Sequence, residues 1–107
     1  GEKSSKKLSL IQNIDKKIPL DEISDSRGIE FNELLSELES IVFSGTKLDI
    51  DYYLEEILDE DQQEELKEYF IESESEDISE AIKEFHGDFD EEELRLYRIK
   101  FLNDVSN

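Results

Sequence analysis

The stretch "DEISDSRGIEFNELLSELESIV", Asp21 to Val42, decides the fold. Leu34, Leu35, Leu38, Ile41 and Val42 recur at i, i+1, i+4, i+7 and i+8, the apolar stripe of a helix packed on a core. This helix starts at Glu30 or Asn32, with Ile29 and Phe31 packing the bend before it. Ahead of the bend, Pro19 suits the first turn of a shorter helix because its φ is already fixed. Leu20 and Ile23 are its buried positions, and Gly28, the residue best able to take φ > 0, ends it. Two helices meeting at a glycine, over about residues 20–43, have the outline of a helix-turn-helix. Yet the second helix carries Glu33, Glu37 and Glu39 and no lysine or arginine. Entering a major groove, it would bring three carboxylates toward phosphates with no compensating cation, and only Asn32 and Ser36 on its solvent face suit base contacts.

Toward the N-terminus, residues 1–7 read as a polar tail or linker, and residues 8–107 as one helical domain. A first helix is expected from Lys6 or Lys7 to about Lys16, burying Leu8, Ile11 and Ile14. Toward the C-terminus, "FSGTKLDID" breaks the helical pattern: Ser44 and Gly45 turn, and Leu48 and Ile50 alternate with polar residues like a short strand or wing near 47–50. Helical spacing resumes with Tyr53, Leu54, Ile57 and Leu58 inward, and "DEDQQ" then makes a polar bend before Leu66, Tyr69 and Phe70. After the acidic loop "ESESED", Ile78, Ala81, Ile82 and Phe85 repeat until His86 and Gly87 end a helix. Asp90, with Glu93 three residues on, caps a last helix burying Leu94, Tyr97, Phe101, Leu102 and Val105. The expectation is an all-α fold of about six helices in three successive helical hairpins, with at most the short strand near 47–50.

At 107 residues the chain can bury a core without disulfides or metal, and it has no cysteine. Acidity this strong suggests disorder only where apolar residues are scarce; here they make up 36% of the chain, with six Phe and four Tyr at helical spacing. The net charge of −19, from 31 acidic and 12 basic side chains, repels phosphate over most of the surface. Any nucleic-acid contact must therefore be local. The first 17 residues, with five lysines against Glu2 and Asp15, carry +3, and the remainder carries −22. Apolar runs are too short to span a membrane and "GEKSSKKLSL" lacks a signal-peptide core, so the expected setting is the cytoplasm and no membrane partner is expected.

The inventory for catalysis is thin: one histidine, no cysteine and no Gly-rich phosphate loop, so this chain alone is not expected to be an enzyme. His86 fits a helix end, where a cation suits the dipole. "DEDQQEELKEYF" fails as a calcium loop, with Glu64 at its sixth position and Phe70 at its twelfth. No catalytic, cofactor-binding or metal-ligating residue is expected. Candidate nucleic-acid contacts are Lys16, Lys17, Arg27, Arg95 and Arg98; Glu33, Glu37 and Glu39 form a candidate acidic interaction face. A simpler role for Arg95 and Lys100 is pairing with Glu91 and Asp104, each four residues away on the same helix.

From Lys16 onward the chain resembles a known family, most specifically at "SRG", "IVFSGTKLDIDYY" and "LRLYRIKFL". It is similar to the C-terminal helix-turn-helix domain appended to RecQ-type ATP-dependent DNA helicases of Bacteroides-like bacteria. The resemblance implies an accessory domain whose motor, ATP and Mg site and strand-separating winged helix lie upstream in a parent helicase. That parent would unwind DNA 3′ to 5′ in recombination and repair. Two roles are open to the domain. Its acidic surface docks on the parent's own domains or on a basic protein partner, with DNA contact weak or indirect; alternatively, it binds DNA directly as a helix-turn-helix module that contacts the backbone through its few basic residues.

Overall fold

Seven helices make up the computed structural model, which describes residues 2–73 and 77–105. They are α1 (Glu2–Asp15), α2 (Leu20–Arg27), α3 (Phe31–Phe43), α4 (Asp51–Ile57), α5 (Glu60–Glu72), α6 (Ile78–Phe85) and α7 (Glu91–Val105). The fold is all-α, with no strand among the described residues. The helix-turn-helix is α2, the turn Gly28–Glu30 and α3. Its apolar stripe is as expected: Leu34, Leu35 and Leu38 are fully buried, and Ile41 and Val42 nearly so.

The first three helices stop in the same way. Each chain exit places one residue at positive φ, Lys17, Gly28 and Gly45, and turns two backbone N–H groups back onto the last turn. Lys17 N–H donates to the Ile14 carbonyl and Ile18 N–H to Asn13; Gly28 and Ile29 do the same to Asp25 and Ser24, and Gly45 and Thr46 to Val42 and Ile41. These are Schellman motifs, which satisfy carbonyls that a helix end leaves bare. α6 also ends at positive φ, on His86, so this histidine does close a helix.

α7 is the organising element: it packs against α3, α4, α5 and α6. Of the three expected hairpins, α2–α3 and α6–α7 are packed pairs, whereas the main partner of both α4 and α5 is α7. A helix contacted from several sides buries more than one stripe. Hence Leu96 and Ile99 are buried alongside Leu94 and Tyr97, and Val105, expected inside, is 60% exposed.

Three other expectations are corrected. α1 begins at Glu2, so residues 2–7, read as a polar tail, are helical; it buries Leu10 and Ile14, one face at i and i+4, and leaves Leu8 56% exposed. The polar bend at "DEDQQ" shrinks to Leu58 and Asp59, because Asp59 and Gln62 form a capping box and α5 starts at Glu60. The segment 47–50 is not a strand. Leu48 and Ile50 are buried, but the Leu48 backbone N–H donates to Asn103 Oδ1 at 3.2 Å, and the Leu48 carbonyl accepts from Asn103 Nδ2. One side-chain amide of α7 thus stands where a neighbouring strand would pair. Much of the "ESESED" loop, residues 74–76, lies outside the described residues.

Two packing layers result. Around α1–α3 the core is aliphatic, with Leu10, Ile14, Leu20, Ile23, Leu34 and Leu38 almost fully buried. Around α5–α7 aromatic rings join the aliphatic side chains Leu66, Leu94, Leu96 and Ile99: Tyr69 meets Phe85 edge-on at 5.2 Å, Phe85 meets Phe89 at 5.0 Å, and Phe70 stacks on Tyr97 and Phe101. Tyr52 joins α4 to the turn before α2 by donating its hydroxyl to the Ile18 carbonyl at 2.5 Å. Burial, then the charges of Asp49 and Glu56, push its phenol up to about 12.

Candidate functional site

α3 occupies the position of a reading helix, so its outer surface is the first candidate site. The exposed strip is Asn32, Glu33, Ser36, Ser40 and Phe43. It holds one carboxylate and no cation. Phe43 is 61% exposed, with the Arg98 guanidinium 5.7 Å above its ring.

The three candidate carboxylates of α3 do not share a face. Glu33 is exposed, while Glu37 turns toward α1, half-buried, with its Oε2 lacking a hydrogen-bond partner. Glu39 faces α7, where Arg95 Nη2 donates to Oε1 and Arg98 Nη2 to Oε2, both at 2.6 Å. The three side chains are only 12 to 14% exposed. Arg95 Nη2 also reaches Ser36 Oγ at 3.1 Å. Burial raises the Glu39 pKa, but hydrogen bonds and Coulomb attraction from Arg95 and then Arg98 outweigh it, holding the carboxyl below the ordinary glutamate value. The hydrogen bonding that Arg95 donates to Glu39 is in turn the main reason the Arg95 pKa is raised.

This ion-pair cluster corrects two expectations at once. Arg95 finds its close carboxylate on α3 rather than at Glu91, and Glu39 is a seam residue instead of an outward face. Lys100 has a similar history: besides Asp104 at 3.5 Å it meets Asp51 of α4 at 2.8 Å. Burial lowers the Lys100 pKa, yet the Asp51 hydrogen bond and charge leave it raised.

The remaining candidate cations are scattered. Lys16 and Lys17 are exposed in the turn after α1, with Lys17 in the left-handed conformation. Arg27 lies at the other end of the antiparallel α1–α2 pair, donating to the Lys6 carbonyl at 3.4 Å, with its Nε buried and unpartnered. From Lys6 to Lys16 along α1 is about 15 Å at the helical rise. Arg27 therefore keeps company with Lys6 and Lys7, part of the positively charged N-terminal segment, instead of with Lys16 and Lys17. No one face collects Lys16, Lys17, Arg27, Arg95 and Arg98.

The exposed negative charge is concentrated on α4–α6. One groove, between α4, α5 and α7, is rimmed by Glu55, Glu60, Asp61 and Glu64, but Lys67 and Lys100 also line it. A second, between α5 and α6, is bordered by Glu65, Glu68, Glu72 and Glu84, with Tyr69 and Phe85 beneath. The spacing 65, 68, 69, 72 marks one helix face of α5 beside the buried Leu66 and Phe70, a signal present in the sequence. Among the described residues, no group of three or more His, Cys, Asp or Glu is placed to hold a metal ion. Nor is any described helix long and apolar enough to cross a membrane.

Residues 4–54, from α1 into α4, match the family described as the RecQ-1-like helix-turn-helix domain. No curated protein matches the chain.

Proposed function

We propose, from the premise that residues 4–54 are a RecQ-1-like helix-turn-helix domain, that this chain is an accessory domain of a RecQ-type ATP-dependent DNA helicase working through its acidic surface. The surface docks on positively charged protein, either the parent's motor domains or a basic partner. In this reading ATP and Mg are held by the motor, since this chain has no Gly-rich phosphate-cradling loop. Unwinding in recombination and repair, in the cytoplasm, belongs to the same reading.

The observation that carries it is the state of α3. Its exposed strip has no cation, and the two arginines nearest to it are held by Glu39. A helix that approached DNA this way would neutralise no phosphate and release no counterion, so it would forgo the main source of affinity. Charge complementarity with a basic protein surface instead favours association and its rate.

A titration of the chain against labelled forked DNA at low salt tests this. The expected affinity is no tighter than the non-specific range of about 10⁻⁴ to 10⁻⁶ M. Calorimetry against the parent's motor domains should instead show binding that weakens as salt rises. Tight DNA binding that disappears only when Lys16, Lys17 and Arg27 are changed to Ala would overturn the proposal and establish direct backbone contact.

A further inference from the structure

We propose that Glu39 is an autoinhibitory residue: Arg95, Arg98 and Ser36 form an anion site at the edge of α3 that suits a phosphate group of nucleic acid, and the chain's own carboxylate occupies it. This rests on the reading above, in which α3 does not grip DNA, and names the side chain responsible. Arg95 takes the carboxylate with both arms of its guanidinium, Nη2 donating to Oε1 at 2.6 Å and Nε to Oε2 at 3.3 Å. Arg98 Nη2 adds a third hydrogen bond, to Oε2 at 2.6 Å. Three donors thus converge on two oxygens that share one negative charge. A phosphodiester presents the same pattern, one charge on two free oxygens, and arginine forks take it in the same way.

The site lies where a reading helix would need it. Ser36, Glu39 and Phe43 follow one another along α3 at i, i+3 and i+7, and Ser36 and Phe43 belong to the exposed strip. Arg95 Nη2 donates to Ser36 Oγ at 3.1 Å at one end, and the Arg98 guanidinium stands 5.7 Å from the Phe43 ring at the other. The fork therefore runs along the edge of the strip. Two guanidiniums against one carboxylate leave the cluster at +1, on a chain whose net charge is −19. With Glu39 in place, a phosphate gains the fork only by leaving that carboxylate without its partners, in surroundings where it is only 12% exposed. Glu91 and Glu92 on α7 act on Arg95, and Asp77 acts on Arg98, so an incoming anion also meets repulsion there. Glu33, on the same helix but exposed, carries the same charge as Glu39 outside the fork.

The test titrates the whole chain against labelled forked DNA at low salt, by fluorescence anisotropy, after circular dichroism has established that each variant is helical. Glu39→Gln should tighten binding about tenfold over the unsubstituted chain, the contribution of one charge-assisted hydrogen bond. Glu33→Gln, with the same change of charge, should tighten it about twofold at most, the screened effect of one exposed charge. Adding Arg95→Gln and Arg98→Gln to Glu39→Gln should abolish the gain. Equal gains in the two single variants would reduce the effect to general charge and overturn the proposal, as would a gain that survives the loss of both arginines. Weak binding by the unsubstituted chain with no gain in Glu39→Gln overturns the proposal alone; tight binding by the unsubstituted chain overturns the reading above as well. Should Glu39→Gln not fold, Glu39→Ser takes its place, and inorganic phosphate should then raise its melting temperature saturably while leaving that of the unsubstituted chain unmoved. Failure of both variants to fold even in phosphate would make the cluster a structural seam alone and overturn the proposal.

Discussion

The two halves of the chain differ in charge and in what fills their cores. Residues 1–54, which contain the family-matched segment, have eleven acidic and seven basic side chains, a net of −4. Residues 55–107 have twenty acidic and five basic, a net of −15. The first half buries leucine, isoleucine and valine with no aromatic side chain among its fully buried residues; the second adds Phe70, Phe85, Phe89 and Tyr97 to its buried leucines and Ile99. The acidity that argues against DNA reading is therefore mostly not a property of the helix-turn-helix. It belongs to the helices that follow, and α7 brings it against α3. The contrast assigns scaffold and charge to different parts of one chain, with the α3–α7 seam between them.

If the seam makes the halves one unit, a cavity on one side must destabilise both. Leu35→Ala and Leu38→Ala, at fully buried positions of α3, should each cost about 2 to 5 kcal/mol. The informative part is the coincidence of transitions. Ring resonances of Tyr69 and Tyr97, in the aromatic half, should be lost at the same denaturant concentration as helical circular dichroism. A Tyr69 or Tyr97 signal that outlasts the helix signal would show two separately folding halves.

The next largest effect is at the seam's polar cluster. Glu39→Ala leaves two arginines, each 14% exposed, without their shared carboxylate, and should cost about 3 kcal/mol. Acid titration reads the same cluster without mutation. Because the Glu39 pKa is depressed in the folded state, its contribution is fully present above the unfolded glutamate value of about 4.3. It is lost as pH falls through the lower folded value. Subtracting the pH dependence of the Glu39→Ala variant isolates it: the two stability curves should converge toward low pH. Parallel curves down to the lowest measurable pH would mean that the pairs contribute nothing.

What sequence could and could not announce follows from range. The α2–turn–α3 unit was legible because every signal lies within one helix length: the Leu34 to Val42 stripe, Pro19 before it and Gly28 between. Short-range reading also found the His86 helix end. The seam was not legible, since Glu39 and Arg95 are 56 residues apart and nothing local tells which carboxylate an arginine will meet. The same holds for Asn103, whose amide replaces a strand partner for Leu48 across 55 residues. On α1 both Leu8 and Leu10 are apolar, and only the packing of the other helices decides which faces in. Among the candidate site residues the failure has one cause. A lysine, arginine or glutamate that looks free along the sequence can be neutralised by a helix from the other half, as Glu39 and Arg95 are.

Lys17 gives the smallest effect and the cleanest separation of scaffold from charge. Three successive helix ends use the same left-handed residue, and two of them are glycine, where that conformation is free of steric cost. The third is Lys17, at φ 60, where a side chain brings Cβ close to the carbonyl oxygen. Lys17→Gly should therefore stabilise the chain, by about 1 kcal/mol after part of the relief is offset by the greater freedom of glycine in the unfolded chain. In a domain of this size the melting temperature rises by about 4 °C. The reverse change at Gly28, to Ala, should lower it, because open space around that residue leaves φ as the only obstacle. Lys17 was also a candidate phosphate contact, so the same variant should be titrated against forked DNA. A stabilised chain with unchanged, weak DNA binding makes position 17 a helix terminus that happens to carry a lysine. A stabilised chain that loses measurable DNA binding would instead show the strain at Lys17 being tolerated for a contact with the backbone, and would return direct DNA binding to the helix-turn-helix half.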